Sequence, residues 1–546
     1  MAWGSHFFNL LASSAITPKY TLEFIDTPDF NGYSRIVTGG YQTNSPLQIS
    51  DEGPNINGCK VTPGSWAITF GSFSVPLVGD ITKIFPAVKR GSLAQLFCTL
   101  GNHKERIAVG QLRNISGFKN NWRLDFVDLL TAMTSRVSNK VGSYTDDNVP
   151  DQMQFFYKCG LKALSVGTWP DLGSGFPTQL NVDDVRPFQD NMANRTSGES
   201  GLIRCIANGS SNEFYLNYDS VTLTGGTAGY LTLSQTYTTT TKVYPSINYP
   251  ENMLAGSEIY ASALLDGPIG SEPWAILARM LISKEGTRSW TFDEYPKSWN
   301  FGSVFDLDIF DWGDAVNHMA DIQSDLGSLD YRFGIVVDSP WSNGIREFIS
   351  ICSLCGHWPV FRQDSITWRG AANPFDVSQI KAYIRDKDII AINKIDLFNP
   401  NQRNQYQFKQ IKHTLEPPGA TGNQSKITYG TTNEINSIPI LPLQTIDNNL
   451  VYGYDYTDKS KRGDLATNDL KRMEKWYTNT SSKIALVLPL NFAGLCAGDF
   501  VELESNFIDV FISGQSKLRG MVTAINYNIG RQKVNLELSI LGTLQN

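Results

Sequence analysis

The sequence has little positive charge and few of the residues on which most enzymes depend. Its 546 residues contain 46 Lys and Arg against 53 Asp and Glu, a net charge of −7, and only 5 histidines. Gripping nucleic acid requires clustered Lys and Arg, so this balance makes that function a poor candidate. The acidic charge does not exclude a different function, as a pore through which nucleic acid slides without adhering. The chain also has no Gly-Lys dipeptide and therefore no phosphate-binding P-loop.

Long apolar runs and regular cysteine spacing are missing as well. No apolar stretch approaches the ~18–20 residues that a membrane-spanning helix needs. Residues 1–18 lack a basic segment, so we expect no signal peptide. The 7 cysteines are scattered and odd in number, which favours reduced thiols over a disulfide framework. With 41% hydrophobic and 18% charged residues, the composition is that of a globular protein.

What is present is a pattern of short strands, most clearly toward the C-terminus. In residues 533–541, Val534, Leu536 and Leu538 alternate with polar residues, which places one face in a core. A turn is predicted at 528–531 because Gly530 can adopt positive φ. The sequence predicts five strands, at 484–490, 499–503, 507–513, 517–529 and 533–541. Strands this short and close together indicate a small antiparallel barrel or a tight sandwich.

The N-terminal part has a similar pattern. Strands are predicted at 66–70, 95–100, 106–112 and 122–127, with turns at Gly101-Asn102 and Ser116-Gly117. These segments predict a first β-barrel. Residues 141–260 are rich in Gly, Ser, Thr, Asn and Asp, and are interpreted as a smaller inserted β module.

Helices are expected between these β regions. Apolar residues recur at helical spacing in 274–283, 311–326, 343–355 and 464–477. Asp311 is a good N-cap for the second of these helices, and Gly327 ends it. A hairpin is predicted after the third helix, with strands at 358–361 and 366–368 around Asp364-Ser365.

The best metal candidate is the motif formed by Cys352, Cys355 and His357. A structural zinc site needs about four ligands, usually from two such motifs, and no second motif is present. Both cysteines also fit the apolar face of the 343–355 helix, so buried thiols are the favoured interpretation.

Three further patterns resemble catalytic sites. Cys496 lies between Gly494 and Gly498 with the spacing of a nucleophile elbow, but no histidine follows His413, and a glycine-bounded turn is favoured. His103, in the sequence His-Lys-Glu, resembles a zinc deaminase motif and is better read as an exposed hairpin residue. Four aspartates form an acidic cluster that could serve glycoside hydrolysis or bind calcium: Asp306, Asp308, Asp311 and Asp314. We expect Asp311 to be a helix cap and the others to form a solvated face.

The order of these segments resembles the tail hub, or baseplate hub, proteins of tailed bacteriophages and gene transfer agents. Six stretches carry the resemblance: 109–128, 274–286 (WAILARMLISKEG), 310–327, 343–370, 384–395 (IRDKDIIAINKI) and 490–503 (LNFAGLCAGDFVEL). The resemblance implies a β-rich α+β chain with two tail-tube-like antiparallel β-barrels. The implied domains are a first barrel at 1–140, a small β module at 141–265, an α+β domain at 266–380, and a second barrel at 381–546 with a small helical insertion at about 435–483.

The resemblance also implies a function in assembly. Three chains with two barrels each would place six barrels in a ring, matching a hexameric tail tube on one side and a threefold tip on the other. The implied partners are the chain itself, a distal tail or tail-tube protein, a tape measure protein, and a tip or fibre protein. DNA would be present only transiently, in the lumen. No catalytic residue or cofactor is expected, and the implied location is the virion tail tip, after assembly in the host cytoplasm. The alternatives are a cell-wall hydrolase or a receptor- or carbohydrate-binding protein at the tip.

Overall fold

The computed structural model describes about half of the chain. The described residues are 17–24, 36–39, 46–62, 67–85, 87–128, 162–167, 178–188, 201–209, 213–233, 254–265, 333–337, 357–362, 365–370, 380–397, 405–411, 426–432, 444–448, 450–452, 480–509 and 517–541, with Phe7, Leu10, Asp314, Asn317 and Ile349. Most of them lie in β-strands, which confirms a β-rich fold. Within these ranges no helix is long and apolar enough to cross a membrane.

The N-terminal region forms nine strands and a 3-10 helix, η1 (Ile81–Lys83). The strands are β1 (Lys19–Phe24), β2 (Ile36–Gly39), β3 (Leu47–Ile49), β4 (Asn55–Thr62), β5 (Ala67–Thr69), β6 (Ser72–Gly79), β7 (Leu93–Leu100), β8 (His103–Phe118) and β9 (Asn121–Val127). Hydrogen-bonded neighbours run from β6 through β3, β2, β1, β7 and β8 to β9, and β9 pairs with β6 again.

Two turns predicted from the sequence lie in this region. The predicted turn at Gly101-Asn102 is confirmed, and Gly101 has φ +60°. The predicted turn at Ser116-Gly117 is wrong, because both residues lie inside β8 and the chain turns at Lys119 and Asn120. Lys119 adopts φ +56° there. The pairing of β8 with β9 continues through Ser116 and Gly117 to Phe118, so the glycine does not end the strand.

A second sheet begins in the middle of the chain. Its first strands are β10 (Lys162–Leu164), β11 (Gln179–Val182), β12 (Gly201–Ile206), β13 (Glu213–Gly225), β14 (Ala228–Leu233), β15 (Glu258–Leu265) and β16 (Phe333–Val337). Their buried side chains, including Leu180, Ile203 and Tyr218, form a core of their own. Because β16 pairs with β15, the sheet continues past residue 265, where the inserted module was expected to end.

The predicted hairpin in the α+β part is confirmed. Strands β17 (His357–Arg362) and β18 (Ser365–Gly370) pair antiparallel, with Arg362 opposite Ser365 at the end of the pairing. Of the predicted helices, Asp314, Asn317 and Ile349 are the described members, and all three are helical. The helices predicted at 274–283 and 464–477 lie outside the described residues.

Four short strands follow β19 (Ile380–Arg385), the 3-10 helix η2 (Asp386–Asp388) and β20 (Ala391–Asp396). They are β21 (Gln405–Ile411), β22 (Lys426–Thr432), β23 (Gln444–Asn448) and β24 (Leu450–Tyr452). Strands β21 to β23 form a three-stranded sheet, and β24 joins the second sheet through β16. Strands β23 and β24 fall within 435–483, so the described part of the expected helical insertion is strand.

The chain ends in four strands, a 3-10 helix, η3 (Leu490–Phe492), and a short helix, α1 (Asn506–Asp509). The strands are β25 (Thr480–Pro489), β26 (Phe500–Glu504), β27 (Lys517–Asn528) and β28 (Lys533–Leu541). The strand predicted at 507–513 is wrong at its start, because Phe507 lies in α1. The carboxylate of Asp386 accepts a hydrogen bond from the Asn506 backbone N–H (3.1 Å), so a distant side chain satisfies a donor at the start of this helix.

The predicted turn between β27 and β28 is present, but its geometry differs from the expectation. Gln532, with φ +52°, adopts the left-handed conformation that was expected of Gly530. The Arg531 N–H donates to the side chain of Asn528 (2.8 Å), which closes the turn locally. Gly530 is required for another reason, since a Cβ there would lie 2.5 Å from the Glu52 carbonyl oxygen.

The two terminal regions share one strand order. In the N-terminal region the neighbours are β4-β6-β9-β8-β7-β1, and in the C-terminal region they are β20-β25-β28-β27-β26-β19. Numbered by their position along the chain, both series read 2-3-6-5-4-1, with β2, β3 and β5 as additional strands in the first region. The pairs correspond in direction except for the last, because β1 and β7 are antiparallel whereas β19 and β26 are parallel.

Candidate functional site: the junction between the terminal regions

Strands β4 and β27 join the terminal regions into one 15-stranded sheet. The register places Asn526 opposite Asn57 and Tyr527 opposite Ile56 in antiparallel pairing. Ile56 and Tyr527 are buried, and the buried apolar side chains of both regions form a single core cluster. The two ends of the chain are therefore one packed unit.

Gly58 allows the two strands to come this close. A Cβ at Gly58 would lie 2.8 Å from Ile525 Cγ2 and 2.9 Å from the Ile525 carbonyl oxygen. A larger residue would force the β4 and β27 backbones apart. On the exposed side of the junction, Lys60 Nζ contacts Glu537 Oε2 at 2.8 Å, but both side chains are about half exposed, so this ion pair adds little stability.

The β17–β18 hairpin packs against the junction and is fixed there by Arg369. The Arg369 side chain is 2% exposed. Its Nη1 donates to Asp314 Oδ2 (2.6 Å) and its Nε donates to Asp499 Oδ1 (3.2 Å). One guanidinium thus connects the helical residue Asp314, the hairpin and the turn before β26. Burial opposes the charge of Arg369, but the neighbouring Cys496, Asp499 and Asp314 outweigh it and raise the pKa of the guanidinium well above its ordinary value.

The carboxylates around Arg369 have further hydrogen bonds. Thr367 Oγ1 donates to Asp314 Oδ2 (2.7 Å), and the Cys496 backbone N–H donates to Asp499 Oδ2 (2.8 Å). A buried ion pair is tolerated when its remaining polar atoms are bonded in this way. Asp314 was expected to belong to a solvated acidic face, and that expectation is wrong, because the residue is bound to Arg369 and Thr367. Asp306, Asp308 and Asp311 lie outside the described residues.

Sequence reasoning did not single out Arg369, although a signal was available. Ser365, Thr367 and Arg369 alternate along β18 and share one face, and all three are almost completely buried. Trp368, which faces the other way, is buried as well. A strand with two buried faces, one of them polar, indicates that a partner with complementary charge covers the polar face.

Cys496 occupies a structural turn. The residue is 3% exposed, and its N–H is bonded to Asp499 as in a closed turn. Gly498 has φ +101° and lies under Trp358 and Arg369, with Trp358 Cζ2 3.0 Å from where its Cβ would be. The glycine-bounded turn expected before β26 is confirmed, and the position of Cys496 is unsuited to nucleophilic attack on a bulky substrate.

A small cavity of about 20 Å³ lies where β4, β27, the hairpin and residues 495–497 meet. Its lining includes Cys59, Asp128 and Cys496, and its size suits one water molecule. Burial, followed by the neighbouring Asp128 and Cys496, raises the pKa of the Cys59 thiol well above its ordinary value. Cys59 is therefore a neutral core thiol at physiological pH.

The remaining candidates for chemistry give no catalytic arrangement. His103 is exposed at the start of β8, as expected for a hairpin residue. His357 begins β17, whereas Cys352 and Cys355 lie outside the described residues, so the proposed metal motif stays a prediction. In the part of the chain that the structure describes, no three His, Cys, Asp or Glu side chains are grouped to hold a metal ion.

A polar cleft lies in the first region. It has a volume of about 570 Å³, and its lining includes Arg90, Arg113, Arg123 and Asp125. Arg123 Nε contacts Asp125 Oδ1 at 2.7 Å, which neutralises one of the three guanidinium groups. Ser72 and Ser74 also line this cleft, alternating with the core residues Phe73 and Val75.

Comparison with solved structures gives matches to phage tail proteins over nearly the whole chain. A tail protein from Neisseria meningitidis MC58 is 8% identical, with 95% of this chain and 96% of that chain covered, at a TM-score of 0.37. The 43 kDa tail protein of prophage MuSo2 from Shewanella oneidensis is 7% identical over 95% and 98% of the two chains, also at 0.37. Prophage tail protein gp18 from Listeria monocytogenes EGD-e is 8% identical over 95% and 94%, at 0.34.

The sequence resemblance was to phage tail hub proteins, and these matching solved structures are phage tail proteins. At TM-scores below 0.5 the likeness is too distant to assign a function. No protein-family model and no curated protein matches the sequence.

Proposed function

We propose that this chain is a structural subunit of a phage tail hub and not an enzyme. In this proposal both terminal regions are tail-tube-like barrels, and three chains form a ring of six such units at the distal end of the tail. The ring joins the hexameric tail tube or distal tail protein to the threefold tip, and the tape measure protein and DNA pass through its centre.

One observation carries this proposal: the two terminal regions have the same strand order and are joined edge to edge by β4 and β27. A chain that carries two equivalent units side by side converts threefold symmetry into approximate sixfold symmetry. Tiling such units in a closed ring also removes exposed sheet edges, which otherwise promote uncontrolled aggregation.

The charge of the chain supports passage of DNA without adhesion. A net charge of −7 repels phosphates at long range. The arginine-lined cleft does not reverse this balance, because Arg123 is already paired with Asp125. Tight binding of nucleic acid uses many phosphate contacts, and two further arginines provide few.

The mass of the purified protein in solution tests the proposal. Light scattering is expected to give the mass of three 60.7 kDa chains at micromolar concentration or above. A mass of one chain that does not change with concentration would refute the trimer. A clear band in a peptidoglycan zymogram would instead favour a cell-wall hydrolase, and a selective hit on a glycan array would favour a carbohydrate-binding tip protein.

A further inference from the structure

The shared strand order indicates which edges are used between copies. In the intrachain junction, β27 pairs with β28 along one edge, and its other edge is shared by two strands. Residues 517–521 pair with β26, and Ala524, Asn526, Tyr527 and Asn528 pair with β4 of the other region. The counterpart of β27 in the first region is β8, and the counterpart of β4 in the second region is β20.

Strand β8 is divided in the same way, but within the described residues its second half has no second partner. Residues 103–111 pair with β7, as 517–521 of β27 pair with β26. Residues 114–118 pair with β9, and among the described residues no strand occupies their other edge. Phe118, at the end of this half, is 75% exposed.

Strand β20 has the complementary edge. Within the described ranges it pairs with β25 alone, whereas its counterpart β4 pairs with β6 on one side and with β27 on the other. Ile395 of β20 is partly buried against the core. Its counterpart in β4, Ile56, is buried, and the edge of β4 is covered by β27. Leu397, directly after β20, is 47% exposed.

The register follows from aligning the two regions pair by pair. The pair Phe118–Asn121 before the β8–β9 turn corresponds to Asn528–Lys533 before the β27–β28 turn. Through β6 and β25, Asn55 corresponds to Lys394, and the next two residues correspond in step. The two correspondences, applied to the β4–β27 register, give one alignment of β8 with β20.

We propose that β20 of one copy adds antiparallel to the 114–118 half of β8 in a second copy, an inference that rests on the proposed ring. The register pairs three residues of one copy with three of the next: Ser116 with Asp396, Gly117 with Ile395, and Phe118 with Lys394. Different surfaces of the two copies meet in this contact, so it propagates from chain to chain and closes when the rotation completes a circle. Backbone hydrogen bonds hold the edges together, and Phe118 and Leu397 lose exposure.

Disulfide trapping tests this register. Residues directly opposite in an antiparallel pair have Cα atoms about 4.5–5.5 Å apart, within the range that a disulfide spans. The full-length Ser116→Cys/Asp396→Cys variant is expected to form covalent oligomers under mild oxidation with copper phenanthroline. The matched control is Ser116→Cys/Ala391→Cys, whose second cysteine lies about 17 Å further along β20. Equal cross-linking of both variants, or none in either, would overturn the register.

A second measurement requires no oxidation. Phe118→Lys is expected to lower the fraction of trimer at a given concentration at least tenfold, because it places a second cation opposite Lys394 in the seam. Phe85→Lys is the control, since Phe85 is 58% exposed and lies outside both edges. Trimers unaffected by Phe118→Lys would contradict the proposed seam.

The outcomes separate this inference from the proposed function. A trimer whose Ser116→Cys/Asp396→Cys variant fails to cross-link leaves the hub proposal intact and rejects this interface. A protein that is monomeric at all concentrations and does not cross-link rejects both.

Discussion

Replacement of Arg369 by methionine tests whether the buried ion pairs hold the hairpin on the junction. Methionine keeps the length and apolar stem of the side chain but removes its charge. The variant leaves Asp499, 5% exposed, without its cationic partner, while Asp314, 22% exposed, can regain water. Breaking a buried pair by removing one partner costs about 3–5 kcal/mol, because the other charge remains uncompensated.

The control is an arginine in an exposed pair. Arg123 is 59% exposed and contacts Asp125 at 2.7 Å, close to the distance between Arg369 and Asp314. Exposed pairs contribute about 0.2–1 kcal/mol, so Arg123→Met is expected to cost no more than that. The two substitutions are chemically identical and differ mainly in burial.

Urea unfolding followed by tryptophan fluorescence is the appropriate assay, because Trp358 and Trp368 are buried beside Arg369. The expected result is a lower unfolding midpoint for Arg369→Met and little change for Arg123→Met. The Arg369→Met/Asp499→Asn variant should recover part of the loss, since asparagine is neutral and its oxygen still accepts from Cys496 N–H. Similar midpoints for Arg369→Met and Arg123→Met would refute the reasoning.

Two further predictions concern the junction and its thiols. Gly58→Ala is expected to destabilise the protein by about 1–3 kcal/mol, because the Ile525 backbone leaves no room for a Cβ. Gly225→Ala, where a Cβ meets no atom within 4 Å, should change the unfolding free energy by less than about 1 kcal/mol, and equal effects in urea unfolding would contradict this account. Burial raises the pKa of Cys98 to about 12, so the thiol loses its proton at a lower pH in the unfolded state than in the folded state. The free energy of unfolding should therefore fall as pH rises from about 9 toward 12. Cys98→Ala should make that fall shallower in urea titrations between about pH 8 and 11, whereas identical slopes would show that Cys98 does not contribute.

Local patterns in the sequence predicted individual strands well. Strand β28 has the predicted bounds, because alternation of Val534, Leu536 and Leu538 with polar residues depends only on neighbouring positions. The β17–β18 hairpin was predictable for the same reason. The strand predicted at 507–513 is wrong at 507–509, which lie in α1, where Asp386, far away in sequence, bonds the backbone at the start of the helix.

The candidate site was much less accessible from sequence. Strands β4 and β27 are separated by more than four hundred residues, and no local pattern specifies which sheet edges meet. Arg369 lies in the 343–370 stretch that resembles hub proteins, but its partners Asp314 and Asp499 lie in distant segments. Gly58 reads as an ordinary strand glycine until its distance to Ile525 is known.

A cryo-electron microscopy reconstruction of the purified, assembled protein, calculated without imposed symmetry, tests the central claim most directly. The account predicts a ring of three chains in which six sheet units alternate between N-terminal and C-terminal regions around a central channel. Single-chain particles, or a ring in which only one of the two regions surrounds the channel, would contradict it.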